Sequence, residues 1–291
     1  MLNNKIGTAT CQIILTQIGR TEVAVVDCPG FNDTRRSDTE VLAEIAKVLS
    51  TQYLLQNRLR LRGILWLRDI TKTRMDGSDV RTLDLFSQLV GTVAFKHIVL
   101  VSTMWDHVDV RHENVAFDRE LQLKDDFWRD MIRGGSYTQR FLGSKASAEG
   151  IISQLVGNPE AVVLQIQREL IDRNMKLSAT AAGSVLALSV YEEVEVRESI
   201  LQRAKARLNQ SDNSSNQRRL AVDVRIAEQE RDKAFLDKEK LEERVGMKLK
   251  GQVDTPSTWQ EVLRTICSIL GVSVQIIGVV LDVAGVTCAI M

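Results

Sequence analysis

Two short stretches of this chain join the residue types that phosphate and metal chemistry need. The first is Ala24-Val25-Val26-Asp27-Cys28-Pro29-Gly30-Phe31, a β-branched run that ends on an acid. An acidic side chain at the carboxyl end of a strand can hold Mg²⁺ through water. A glycine three residues later lets a backbone N–H approach a terminal phosphate. The same residues also suit a plain turn, because Asp, Pro and Gly are turn formers. The second stretch is Val99-Leu100-Val101-Ser102-Thr103-Met104-Trp105-Asp106, where another apolar run ends in a polar cluster.

These groups need elements to hold them. Val23 to Asp27, Gly63 to Leu67 and His97 to Val101 are short runs with apolar residues on both parities, as in strands buried on both faces. Helical patterns lie between them. One runs from Ser37 to Leu54, with Ser37 and Glu40 spaced as a capping box. Another runs from Ser78 to Val90, with Gly91 as its C-cap. Strands alternating with helices of this length predict an α/β fold with a parallel sheet.

The order and spacing of the motifs resemble a Ras-like P-loop GTPase domain. Asp-Cys-Pro-Gly-Phe-Asn-Asp-Thr from Asp27, Arg36 to Glu40, Gly63 to Leu67, Arg74-Met75-Asp76-Gly77-Ser78 and Ser102 to Asp106 are more specifically similar to the fungal G-domain proteins. These are relatives of the septin and immunity-associated GTPases. The resemblance covers roughly residues 6 to 155. It implies a nucleotide site with GTP and Mg²⁺ as cofactors. Thr10 would be the switch threonine on Mg²⁺ and the γ-phosphate, and Asp27 the water-mediated Mg²⁺ contact. Gly30 would sense the γ-phosphate. Thr103 and Asp106 would form the guanine element, the aspartate accepting two hydrogen bonds from guanine N1 and N2. Met104 stands where the family has lysine. Phe31 stands where Ras-like enzymes place the glutamine that orients the attacking water, so no catalytic residue is assigned and hydrolysis is not expected. Gly143 stands where relatives carry an asparagine that approaches the base, so the resemblance implies a weaker guanine contact.

No G-x-x-x-x-G-K-S/T occurs in the sequence. The resemblance therefore implies a truncated Ras-like sheet with weak or absent GTP binding, and a chain shortened at its N-terminus. The missing strand would be central. The strands before Asp27 and at Gly63 would then have to pair directly or lose a ladder partner, which is costly for buried edges.

Three segments are expected: residues 1–157 as a partial G domain, 158–252 as a helical or coiled-coil extension, and 259–291 as a hydrophobic tail. In the second, 158 to 208 reads as helix, Ser211 to Gln217 as a linker, and 218 to 250 as a second helix. Leu220, Ala227, Ala234 and Leu241 recur every seven residues, but Arg231 and Lys238 weaken the companion seam. An intramolecular hairpin is the alternative. In the tail, Thr265 to Met291 carries only Asp282, and Gly271, Gly278 and Gly285 repeat on one side. A hydrophobic C-terminal helix anchoring a membrane is expected there, with a helix buried in the core as the alternative.

The balance of 38 basic and 38 acidic residues gives no global electrostatic reason to bind nucleic acid. The four cysteines form no C-x-x-C pair, which reads as reduced thiols in an intracellular protein, cytoplasmic or membrane-associated. His107 and His112, near Asp106 and Asp109, read as a solvated loop rather than a metal site. Ser136 and Ser144 have no triad partners, and Trp66, Trp105 and Trp128 read as packing residues. Two functional readings follow. One is a guanine-nucleotide module, with a homo-oligomer or helical partner possible. The other is a non-enzymatic helical interaction or membrane-scaffold protein. An ATP-dependent enzyme fits poorly, because Thr103-x-x-Asp106 points to guanine.

Overall fold

The computed structural model describes residues 10–253 apart from 34, 58, 212 and 213, together with 261, 265, 268, 274–276 and 286–290. It is a mixed α/β fold. The strands are β1 (Gln12–Ile18), β2 (Thr21–Asp27), β3 (Leu59–Asp69), β4 (Ile98–Thr103), β5 (Tyr137–Arg140), β6 (Val274–Ile276) and β7 (Val286–Ile290). They form one sheet in the order β5-β4-β3-β7-β2-β1-β6. The five strands from β5 to β2 run parallel, β1 is antiparallel to β2, and β6 is parallel to β1.

The three apolar runs expected as strands fall in β2, β3 and β4. Val23 to Val26 and Ile98 to Ser102 are buried throughout, which is why both parities are apolar. β1 was not expected. It joins β2 through a tight turn in which Gly19 takes a φ of 61°, a left-handed value that glycine adopts without steric cost.

β7 corrects two expectations. The gap between β2 and β3 is neither closed by direct pairing nor left open: Val26 and Ile64 both align with Ile290. The stretch expected as a hydrophobic C-terminal helix instead carries strands β6 and β7. The physical reason lies in the composition and the site. Val, Ile and Thr suit a strand as well as an apolar helix. Between two buried strand edges, only an extended segment satisfies the free N–H and C=O groups of both. Of the rest of the expected tail, residues 261, 265 and 268 are helical, and the others lie outside the described residues. Among the described residues, no helix is long and apolar enough to cross a membrane.

Helix α1 (Asp38–Leu54) starts at Ser37, whose Oγ accepts the Glu40 N–H at 3.1 Å. The reciprocal half of the capping box is diverted, since the Glu40 carboxylate pairs with Lys240 at 2.5 Å. Helix α2 (Gly77–Val90) is capped by Asp76, whose side chain accepts the Asp79 N–H at 2.8 Å, and ends at Gly91 with a φ of 76°. The short helices α3 (Glu113–Gln122) and α4 (Arg129–Arg133) lead into β5, and α5 (Lys145–Val156) follows it.

The helix expected to start at 158 starts later. Residues 158–164 are irregular, because Pro159 cannot continue a helix and the segment binds the back of β3. Val162 donates its N–H to the Leu61 carbonyl at 2.9 Å, and Arg62 reaches the Asn158 carbonyl at 3.2 Å. A one-turn helix α6 (Gln165–Gln167) precedes the long helices α7 (Ala181–Asn209) and α8 (Ser214–Glu242), and α9 (Val245–Lys250) follows. α7 and α8 pack on each other as a hairpin. Ala227, Ala234 and Leu241, from the seven-residue repeat, are buried. Leu164, Ile166, Leu170, Leu241, Val245 and Leu249 share one apolar cluster with Val41, Leu42, Leu61 and Leu100.

Candidate functional site

The parallel strands β2, β3, β4 and β5 end at Asp27, Asp69, Thr103 and Arg140, on the same edge as the end of β7 at Ile290. In an open α/β sheet this is the edge beside which ligands bind. Two groups of residues meet there.

The first surrounds a cavity of about 360 Å³ between β2, β3, α1 and α2. Asp27, Gly30 and Phe31 form one wall; Ile45 and Leu49 of α1, Trp66 of β3 and Phe86 of α2 form the apolar body. Trp66 and Phe86 stack with ring centroids 4.4 Å apart. Arg68, Lys72 and Asp79 line the rim. Arg68 binds the Asp79 carboxylate through both terminal nitrogens at 2.8 Å and the Arg74 carbonyl at 3.0 Å, which ties the end of β3 to the start of α2. That hydrogen bond holds the Asp79 carboxyl below the usual carboxylate range. Asn32 closes the Asp27–Gly30 turn in a left-handed conformation with a φ of 62°. Its N–H meets Asp38 at 2.8 Å and its side-chain amide meets Thr82 at 3.2 Å.

The second group follows β4. Met104 adopts a φ of 64°, an uncommon value for a residue with a side chain. The chain turns there, and Asp106 is left exposed, its carboxylate 3.1 Å from His107 Nδ1. Gly143 has a φ of 72° and packs against this carboxylate. A Cβ added at 143 would lie 3.2 Å from Asp106 Oδ2.

Behind the loop is a buried ionic network that the motif reading missed. Glu120 of α3 is 3% exposed. It accepts from Arg140 Nε at 2.9 and 3.0 Å, from the Ser102 hydroxyl at 3.0 Å and from Lys124 at 3.2 Å. Burial, the largest single influence, pushes its carboxyl up. Hydrogen bonds from Arg140, Lys124 and Ser102 outweigh burial and hold it below its ordinary value. Arg140 also lies over the Trp105 ring at 4.2 Å, and the Trp105 indole donates to Ser102 at 2.9 Å. The Glu120–Lys124 spacing was a visible helical pair; the reach to Arg140 needs the fold.

The two groups touch through β3: the Thr103 hydroxyl donates to the Arg68 carbonyl at 3.3 Å. Of the residues expected to bind nucleotide, Asp27 and Gly30 stand together in the cavity wall, and Thr103 and Asp106 stand in one loop. Thr10 is exposed, two residues before Gln12, which pairs with Asp27. It is at the same edge but does not line the cavity. His107 and His112 are exposed, and no group of acids, histidines and cysteines suited to a metal occurs among the described residues.

No protein-family model and no curated protein match this chain. Among solved structures, it is similar to a dimerization-deficient mutant of Toc33 from Arabidopsis thaliana. The two are 12% identical, with a TM-score of 0.42, over 53% of this chain and 73% of that one.

Proposed function

We propose that the carboxyl edge is a guanine-nucleotide site of the G-domain type that keeps base recognition and has lost most phosphate contacts. The observation that carries this reading is the pairing of Asp106 with Gly143. An exposed carboxylate beside a residue without a side chain leaves room for a flat base, and two acceptor oxygens match the N1 and N2 donors of guanine. Thr103 supports the loop through its bond to β3. Asp27 and Gly30 would stand on the phosphate side, where Asp27 would hold Mg²⁺ through water; Thr10 is at the same edge, outside the cavity lining. No G-x-x-x-x-G-K-S/T exists among the 291 residues to cradle phosphates. Phe31 cannot orient an attacking water. The chain thus binds guanine nucleotide weakly and does not hydrolyse it.

Fluorescence titration of the 291-residue chain with mant-GDP and mant-ADP in Mg²⁺ tests this. Weak binding that favours guanine is expected, at least about tenfold weaker in Asp106→Ala. Sub-micromolar GTP binding, phosphate release, or equal binding of both nucleotides that is unchanged in Asp106→Ala would overturn it. The helical hairpin favours a second reading, an interaction module. Leu188, Val196 and Ile200 on α7 and Val222, Ile226 and Leu236 on α8 are exposed apolar side chains. Association that persists in Asp106→Ala, without nucleotide dependence, would support that reading.

A further inference from the structure

Cys11 and Cys28 face each other where β1 and β2 open onto the site. Their Sγ atoms are 3.5 Å apart, and both are free thiols. They lie one step beyond the last residues of the antiparallel register, Gln12 and Asp27. Directly opposed residues in such a ladder have Cα atoms about 4.5–5.5 Å apart. A disulfide spans about 4.4–6.8 Å, so the backbone need not move far to form one. The two sulfurs differ in access. Cys11 is 1% exposed, whereas Cys28 is half-buried and lines the cavity wall next to Asp27.

We propose that Cys11 and Cys28 are a redox-modification site, a dithiol that a peroxide converts into a cross-strand disulfide beside the Asp27–Gly30 turn. Cys28 takes the first step because it is the less buried of the two residues and lines the cavity. Its thiolate attacks one oxygen of hydrogen peroxide and the O–O bond breaks. A sulfenic acid forms on Cys28, and the departing hydroxide takes a proton and leaves as water. The sulfur of Cys11 then attacks Cys28 Sγ. The S–O bond breaks, and hydroxide leaves with the Cys11 proton as a second water. Two thiols and one peroxide give one disulfide and two waters, the sulfurs losing two electrons to the peroxide oxygens. Cys11 suits the second role. Its hydrogen bond to Cys28 and its burial push its thiol well above the ordinary range, which keeps it protonated and out of the first step. The product ties the residue after Thr10 to the residue after Asp27. The turn at the cavity wall is then covalently fixed to β1. This chemistry does not depend on what the site binds.

The test treats the full chain with hydrogen peroxide, blocks free thiols, and digests it with trypsin without reductant. Cleavage after Lys5, Arg20 and Arg35 puts the two cysteines on separate peptides. The expected product is a single disulfide-linked pair of the peptides 6–20 and 21–35. It should be about 2 Da lighter than the two free peptides and should disappear on adding dithiothreitol. It should form at least about tenfold faster in the folded chain than in urea. Cys11→Ser should leave a sulfenic acid on Cys28 that dimedone traps. Full alkylation of both cysteines after peroxide would overturn the proposal. So would a link that forms only in urea, or links joining two copies of peptide 21–35 or reaching Cys267 or Cys288.

Discussion

Replacing Arg140 with alanine removes the main counter-charge of the most buried acid in the site. Glu120 has a side chain 4% exposed, against 38% for Arg140. Breaking a buried ion pair from one side costs about 3–5 kcal/mol, because it leaves a charge without compensation. Here Lys124 and Ser102 remain on Glu120, which reduces the cost to about 2–3 kcal/mol. Loss of the guanidinium from the Trp105 face adds about 0.5–1 kcal/mol. The expected total is near 3 kcal/mol at pH 7, read from urea unfolding followed by circular dichroism. Glu120→Gln should cost less, about 1–2 kcal/mol, because the half-exposed Arg140 can turn to water. The sign of the pH dependence follows from the same groups. In the native chain the Glu120 carboxyl sits below its unfolded value of about 4.3, so its contribution is full above that pH and lost in stronger acid. In Arg140→Ala, burial has less opposition and raises that pKa. Protonation then relieves the buried charge earlier, and the gap between variant and native chain narrows as pH falls from 7 toward about 4. A loss under about 0.5 kcal/mol at pH 7, a gap that widens in acid, or a Glu120→Gln cost above that of Arg140→Ala would refute the reasoning.

Two further perturbations test the sheet. Ala289→Pro removes an N–H from a strand paired on both sides, opposite Val25 and Gly63. It should cost about 3 kcal/mol or more, seen as a lower urea midpoint. Gly63→Val places a Cβ 2.3 Å from the His97 carbonyl oxygen and 2.6 Å from Leu155, at the register shift in β3. Overpacking of about 1–3 kcal/mol is expected, and an unchanged melting temperature would show that β3 does not approach His97 in this way.

The sequence discloses the parts of the fold whose signals are local. Val23 to Val26, Gly63 to Leu65 and His97 to Val101 are legible as strand segments because both parities are buried. Ser37 and Gly91 mark helix ends because caps are short-range chemistry, whereas the cap Asp76 was not read from the sequence. What was hidden depends on partners far along the chain. Nothing around Val286 separates a strand from an apolar helix; the paired edges of β2 and β3 decide it. Glu40 looks like half of a capping box until Lys240, two hundred residues away, takes its carboxylate. In the site, Asp27-x-x-Gly30 and Thr103-x-x-Asp106 were readable as motifs. Glu120 with Arg140, and Cys11 with Cys28, were not, because no spacing rule connects two elements that only the sheet brings together.

The central position of β7 sets a timetable for the chain. Ile64 must wait for Ile290, and Val26 waits longer still. At ribosomal rates of about 5–20 residues per second, the neighbours of β7 emerge on the order of 10–50 s before it does. Through that interval β2 and β3 present unpaired apolar edges to every other chain in reach. Slower translation, which usually helps a domain fold, would here lengthen the exposure.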